Sequence, residues 1–267
     1  MDSVRDVDVQ RVSMGSKSYD NDSVATESPL SVNLKLRDEM FSVGVLMRTP
    51  GDDVELVIGF LFGEGIITGI GQVVKLEIEE DCCHIELSED SQFDPSEHVR
   101  KTSISSSCGL CGRDSISNLF HIEGKQINTS HNYSLETIIQ SVITLRSSQN
   151  IFSLTGGSHA AGLCDSGGNL RLIAEDVGRH NAVDKLVGKC LNEGIEQPGD
   201  GFLVVSGRAS FELVLKSIRF GFPLMVAVGA PSSLAIDMAK EHDMTLVGFV
   251  KDDKISVYSS PRRISVS

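Results

Sequence analysis

Phe202-Leu203-Val204-Val205-Ser206-Gly207-Arg208-Ala209-Ser210 reads as a short strand that runs directly into a polar turn and then a helix. Four consecutive apolar residues leave no face for solvent, so the strand is expected to be covered on both sides. A helix follows from about Ser210 to Phe220. The same handover recurs downstream. Leu224 to Val228 is a buried strand, Ser232 to His242 a helix capped by serine, Thr245 to Val250 a strand, and Ile255 to Tyr258 an edge. Upstream, Ser134 caps a helix running to about Arg146 with Ile138, Ile139, Val142 and Ile143 inward, and Thr155-Gly156-Gly157 breaks it. His159 to Cys164 and Asn169 to Ala174 pair through the turn Asp165-Ser166-Gly167-Gly168. Ala182, Val183, Leu186, Val187, Cys190 and Leu191 then share one face of a helix. The order αββαβαβαβ predicts an α/β domain over residues 131–267, with a largely parallel sheet and helices on both faces.

The first half has a different rhythm. Leu30–Leu36 and Met40–Met47 alternate and read as a hairpin. Thr49-Pro50-Gly51-Asp52-Asp53 starts a helix with a wide apolar face that Gly63 and Gly65 end. Val73–Ile78 and Cys83–Leu87 are two more strands. Residues 29–130 thus predict a smaller α+β domain. Residues 1–28 are polar and predicted to be partly disordered, although Val7–Val12 alternates like a strand.

The chain has 267 residues, enough for two modest domains. Its net charge of −13 argues against a nucleic-acid partner, which demands clustered Lys and Arg. No apolar run is long enough to span a membrane, and Met1–Asp22 has no secretory h-region, so a cytoplasmic protein is expected. Any anionic ligand must be held by local positive groups rather than by the overall field.

Cys108-Gly109-Leu110-Cys111, in a Ser- and Gly-rich loop of the smaller domain, is the most conspicuous chemistry. Two exposed thiols serve a zinc site, a dithiol redox pair, or a persulfide relay; two incidental cysteines are the bland alternative. Zinc demands two more ligands, and no second CxxC exists. Redox pairs of the thioredoxin kind carry aromatic and proline signals missing here.

The strand-to-helix turns carry the rest. Asp176, Gly178, Arg179 and His180 follow one strand, and Ser206, Gly207 and Arg208 follow another. Ligands of open α/β sheets bind at such ends, and helix N-termini favour anions. Asp176 is either an acceptor for a base or ribose or only a helix cap. Gly156 and Gly157 permit close approach of a ligand beside His159, which alone reads as a satisfied core histidine. Glu212 and Lys216, four apart, read as an ordinary exposed pair.

SSCGLCG (106–112), TGGSHAAGL (155–163), AEDVGRHNAVDKLVG (174–188), SGRASFELVLKS (206–217) and APSSLAIDMAKE (230–241) occur in this order. With ESPLSVNL (27–34) and MRTPGDDVELVIGFLFGEGII (47–67), they make the chain resemble the formate dehydrogenase accessory sulfurtransferases of the FdhD/NarQ type. The resemblance implies a homodimer whose larger domain is a cytidine deaminase-like three-layer fold, a mixed sheet with helices on both faces. It implies transfer of persulfide sulfur from a cysteine desulfurase to the molybdenum (or tungsten) bis-guanine-dinucleotide cofactor, serving formate dehydrogenase. The persulfide cysteine falls on Cys108, with Cys111 assisting. The cofactor segment falls on Phe249, Val250, Lys251, Asp252, Asp253 and Lys254, whose aspartates depart from a phosphate-binding pattern. Deaminase activity is not implied. Such enzymes require H-x-E with a later CxxC, and here His159-Ala160-Ala161 lacks the glutamate. A chaperone that only binds the cofactor is the rival function.

Overall fold

The computed structural model describes residues 2–91, 93–95, 127, 129–251 and 253–266. The first half runs β1 (Val4–Ser13), β2 (Ser16–Ala25), β3 (Ser28–Leu36), β4 (Glu39–Arg48), α1 (Asp53–Glu64), β5 (Val73–Glu79) and β6 (Cys82–Leu87). The second half runs β7 (Tyr133–Ser134), α2 (Leu135–Ser147), α3 (Asn150–Thr155), β8 (His159–Cys164), β9 (Leu170–Asp176), α4 (Arg179–Asn192) and β10 (Phe202–Val205). It continues with α5 (Phe211–Phe220), β11 (Leu224–Ala227), α6 (Ser233–Glu241), β12 (Thr245–Lys251), β13 (Lys254–Ser259) and β14 (Ile264–Ser265).

The second half forms a six-stranded sheet in the order β13-β12-β11-β10-β8-β9. Only β10–β11 and β11–β12 pair in parallel; the other three pairings are antiparallel. The sheet is therefore mixed rather than largely parallel. The physical reason is connection length, because a short turn such as Asp165–Gly168 can only reverse the chain, whereas parallel neighbours need a helical crossover.

The strand that opened the sequence reading is buried on both faces. Leu203 and Val205 enter the core under α4, α5 and α6, with Met225, Ala227 and Leu246 beside them. Phe202 and Val204 point the other way, to a second core that holds Leu224, Val226 and Val247 and is covered by Ile138 and Leu145 of α2. Each such side chain contributes about 1.5–3 kcal/mol by leaving water. On α2 the expected inward set shifts. Ile138 is buried, but Ile143 is 55% exposed, and Leu145 and Ser141 take the buried positions. Serines cap α2 and α6 as anticipated, and α5 as well: Ser134, Ser232 and Ser210 each accept a hydrogen bond from the third residue on.

The first half is a four-stranded sheet, β4-β3-β6-β5, with α1 on its inner face. Gly63 does not end α1; Gly65 does, at φ 77°. Every residue from Leu56 to Gly63 is buried, because α1 lies between its own sheet and α4. Backbones touch there. A Cβ on Gly59 would lie 1.8 Å from the Asp184 carbonyl oxygen, and one on Gly188 would lie 1.9 Å from that of Glu55. One continuous core thus runs through both halves.

Two sequence expectations are corrected. The leading segment, expected to be partly disordered with a strand at Val7–Val12, is a hairpin of two ten-residue strands, β1 and β2, turning at Gly15 with φ 85°. Arg11 pairs with Asp20 and Asp22 across it, so its polar residues satisfy one another. Glu212 and Lys216 are not an exposed pair. Lys216 is buried against Asp184, with Glu64 at 3.6 Å, and Glu212 faces His180.

Candidate functional site

The register brings several predicted segments to one rim of the six-stranded sheet. β9 and β10 point the same way with the antiparallel β8 between them, so the start of β8 meets the ends of both. His159 lies opposite Asp176. A Cβ on Gly207 would meet His159 Nδ1 at 3.4 Å, so the Gly207 backbone borders the imidazole. Arg179 and Arg208 therefore follow strands that are separated by β8, which begins at His159. The rim continues outward: Gly229 N donates to Gly207 O at 3.0 Å, and Phe249 N donates to Gly229 O at 3.3 Å.

His159 sits where cations gather. Burial holds its imidazole below the ordinary value, and Arg179 and then His180 push the same way, against Asp176. His159 is accordingly a neutral group at pH 7, suited to donate or accept a hydrogen bond. Beside it, Arg179 Nε is buried and has no hydrogen-bond partner among the described residues. A buried donor without a partner costs about 1–3 kcal/mol, which an anion would relieve. Arg179 and His180 form the first turn of α4, which carries no acidic residue, so the helix N-terminus adds to the positive field. His180 Nε2 lies 2.8 Å from Glu212 Oε2 and 3.2 Å from Ser210 Oγ.

Other predicted residues have structural occupations. Asp176 is fully buried. Its Oδ1 accepts from Gly178 N and Asn181 Nδ2, and its Oδ2 accepts from Thr49 N and meets Lys185 Nζ at 2.8 Å. Its acceptors are taken, so it holds the turn and is no ligand for a base or ribose. Ser206 Oγ accepts from Ala160 N at 2.9 Å and ties the β10 turn to β8. Gly156 ends α3 at φ 66°, and Gly157 packs on Ala25 at the base of β2. Gly178 is the N-cap of α4, and Arg208 is exposed on the rim.

The segment Phe249–Lys254 divides. Phe249 is 52% exposed at φ 52°, beside a register shift in the β12–β13 pairing. A bulky residue held in the left-handed region is strained, and such strain gathers where ligands are clamped. Val228, at the end of β11, is also exposed on this rim. Val250 points into the core under α2 instead. Lys251 and Lys254 pair across the hairpin, exposed like Asp253. Asp252, Cys108 and Cys111 lie outside the described residues.

Sequence reasoning gave no site role to Thr49, Glu212 or Val228. Thr49 was read only as part of a helix start, and nothing local marks its contact with Val177, 128 positions away. Three of the remaining cysteines are poor rival nucleophiles: burial pushes the Cys83, Cys164 and Cys190 thiols up to about 12.

The sequence pattern of the FdhD/NarQ family matches residues 25–265. The chain belongs to this family. It is 39% identical over 251 residues to the Sulfur carrier protein FdhD of Picrophilus torridus, covering 93% of this chain and 94% of that one. It is 41% identical over 252 residues to the protein of the same name from Thermoplasma acidophilum, covering 91% and 87%. A crystal structure of a putative formate dehydrogenase accessory protein from Desulfotalea psychrophila superposes with a TM-score of 0.79 at 24% identity, covering 98% of this chain and all of that one. At that identity the likeness carries the fold. Membership of the FdhD/NarQ family brings the matched motifs, the CxxC segment included, into a single frame. Among the described residues, no helix is long and apolar enough to cross a membrane.

Proposed function

We propose that this protein is a sulfur carrier for formate dehydrogenase, acting in the cytoplasm as a homodimer. The observation that supports this most is the near full-length similarity to proteins named Sulfur carrier protein FdhD. The Cys108 thiolate attacks the outer sulfur of a persulfide on a cysteine desulfurase. The donor's S–S bond breaks, the donor leaves as a thiolate, and Cys108 carries the persulfide. The Cys111 thiolate then attacks Cys108 Sγ. A Cys108–Cys111 disulfide forms, hydrosulfide leaves for the metal, and two electrons from a thiol reductant restore the pair.

The cargo is the bis-guanine-dinucleotide form of the molybdenum or tungsten cofactor, bound on the rim. Arg179, whose buried Nε has no partner among the described residues, suits a phosphate, and Arg208 adds charge. The neutral His159 suits a polar edge, and Phe249 and Val228 suit the flat face of a base. The two covered faces of the sheet support a cytidine deaminase-like assignment of the larger domain, without that activity, since Ala161 stands where the catalytic glutamate would.

The test is mass analysis after incubation with a cysteine desulfurase and cysteine. The peptide bearing Cys108 and Cys111 is expected to gain one sulfur atom, and Cys108→Ala to abolish both that gain and formate dehydrogenase maturation. Full maturation by the Cys108→Ala protein would replace sulfur transfer with a cofactor chaperone.

A further inference from the structure

Thr49 has no exposed surface at the junction of β4 and α1, and its N–H, hydroxyl and carbonyl are committed to the end of β9, the turn after it and α4. Its N–H donates to Asp176 Oδ2 at 2.9 Å, its hydroxyl oxygen accepts from Val177 N at 3.0 Å, and its carbonyl accepts from Lys185 Nζ at 2.7 Å. Asn181 closes the ring, with Nδ2 donating to Met47 O at 2.7 Å and to Asp176 Oδ1 at 3.0 Å. Lys185, itself buried, also reaches Asp176 Oδ2 at 2.8 Å and Glu175 O at 3.3 Å. Four of these seven contacts cross between the two halves of the chain: three from Thr49 and one to Met47 O.

The ring itself is sealed from any ligand, because Asp176 and Thr49 are both fully buried. It ends, however, at the rim. Val177 is two residues before Arg179, and Asp176 is the register partner of His159. Val177 N has only the Thr49 hydroxyl as its acceptor among the described residues. Removing that acceptor leaves a poorly solvated N–H that must turn toward water, and the turn must rotate with it.

We propose that Thr49 is a positioning residue for the rim. Its hydroxyl holds the Asp176–Gly178 turn, and with it Arg179 and His180, in register with His159. The anion-binding edge of the second half is thus set by a residue of the half that bears Cys108 and Cys111. The inference rests on the reading of the rim as a binding site, and its first readout does not depend on that reading.

The experiment uses the full chain with Thr49→Val, which keeps the branched shape and removes the acceptor, and Thr49→Ser, which restores it. Histidine imidazole resonances are recorded by NMR, affinity for guanosine diphosphate by calorimetry, and thermal stability alongside. Thr49→Val is expected to shift the His159 and His180 resonances and to weaken guanosine diphosphate binding about ten-fold, with Thr49→Ser close to the parent in both. A lowered melting temperature with unchanged resonances and unchanged affinity overturns the proposal, since that is the outcome of a purely structural role. If the parent protein does not bind guanosine diphosphate, the ligand reading of the rim fails and the resonances alone decide on Thr49. If Thr49→Val does not fold, Asn181→Ser, which removes only the bridge from Met47 O to Asp176, takes its place. Smaller shifts of the same two resonances support the proposal, and unchanged resonances overturn it.

Discussion

Lys216 Nζ stands 2.7 Å from Asp184 Oδ1 and 3.0 Å from Oδ2, with both side chains buried where α1, α4 and α5 meet. Burial pushes Asp184 above its ordinary value of 3.8, to about 6, against the pull of Lys216 and with the help of Glu64. For Lys216, burial acts downward, but attraction to Asp184 and Glu64 outweighs it and the net movement is upward. Both groups are therefore charged at pH 7.

Removing one partner leaves the other buried and uncompensated. Lys216→Met is expected to cost about 3–5 kcal/mol in urea unfolding, and the double variant Asp184→Leu with Lys216→Met to recover most of it. The pH dependence has a definite sign. Between the ordinary value of 3.8 and about 6, the folded state holds more of the Asp184 proton than the unfolded state does. The Asp184 contribution to stability therefore falls as pH rises through that window. The difference between parent and Asp184→Asn stability, measured across it, should show this slope.

Asp243 provides the opposite case. The Arg262 hydrogen bond, then those from Ser260 and Arg263, hold its carboxyl well below the ordinary carboxylate range. Its contribution is present above the ordinary value of 3.8 and is lost as pH falls below it. Asp243→Asn should cost about 1–2 kcal/mol at pH 7, discounted because the carboxylate is partly exposed. Its acid-unfolding limb should be flatter than the parent's.

Arg179 predicts effects of opposite sign on stability and binding. Its Nε is buried without a partner among the described residues, so Arg179→Met should leave the free protein as stable as the parent or raise its melting temperature. The same change should weaken guanosine diphosphate about ten-fold and reduce the salt dependence of that binding. Calorimetry at two ionic strengths, with a thermal melt, checks both.

The thiols separate by reactivity. Cys83, Cys164 and Cys190, pushed up to about 12 by burial, should resist iodoacetamide at pH 8 in the folded protein and react once it is unfolded in urea. Peptide mass mapping reads this directly. Labelling of any of these three in the folded state would undo the burial argument.

What was legible in the sequence was whatever is local. Leu203 and Val205 against Phe202 and Val204 announced a strand buried on both faces, and the serine caps announced where helices begin. The mixed character of the sheet was obscured because strand direction depends on pairing order, which apolar runs do not encode. The rim was half legible. Strand-to-helix turns named Arg179, His180 and Gly207, but whether Asp176 met a ligand or the chain itself depended on Thr49 and Lys185. Glu212 was misread for the same reason. Spacing on its own helix pointed to Lys216, while His180 of another helix lies 2.8 Å away. Phe249 at φ 52° is a tertiary fact that no residue preference announces.

The contact of α1 with α4 reaches beyond packing. Gly59 and Gly188 bring main chain against main chain, so neither helix can be rebuilt around a replacement side chain. A fragment ending near residue 130, or one beginning there, would carry half of that seam and the bare apolar strip beside it. Neither piece is then an autonomous folding unit, and sulfur loading and cargo binding cannot be assayed on separately expressed halves. Protease cleavage of the connecting segment should leave two pieces that migrate together until denatured.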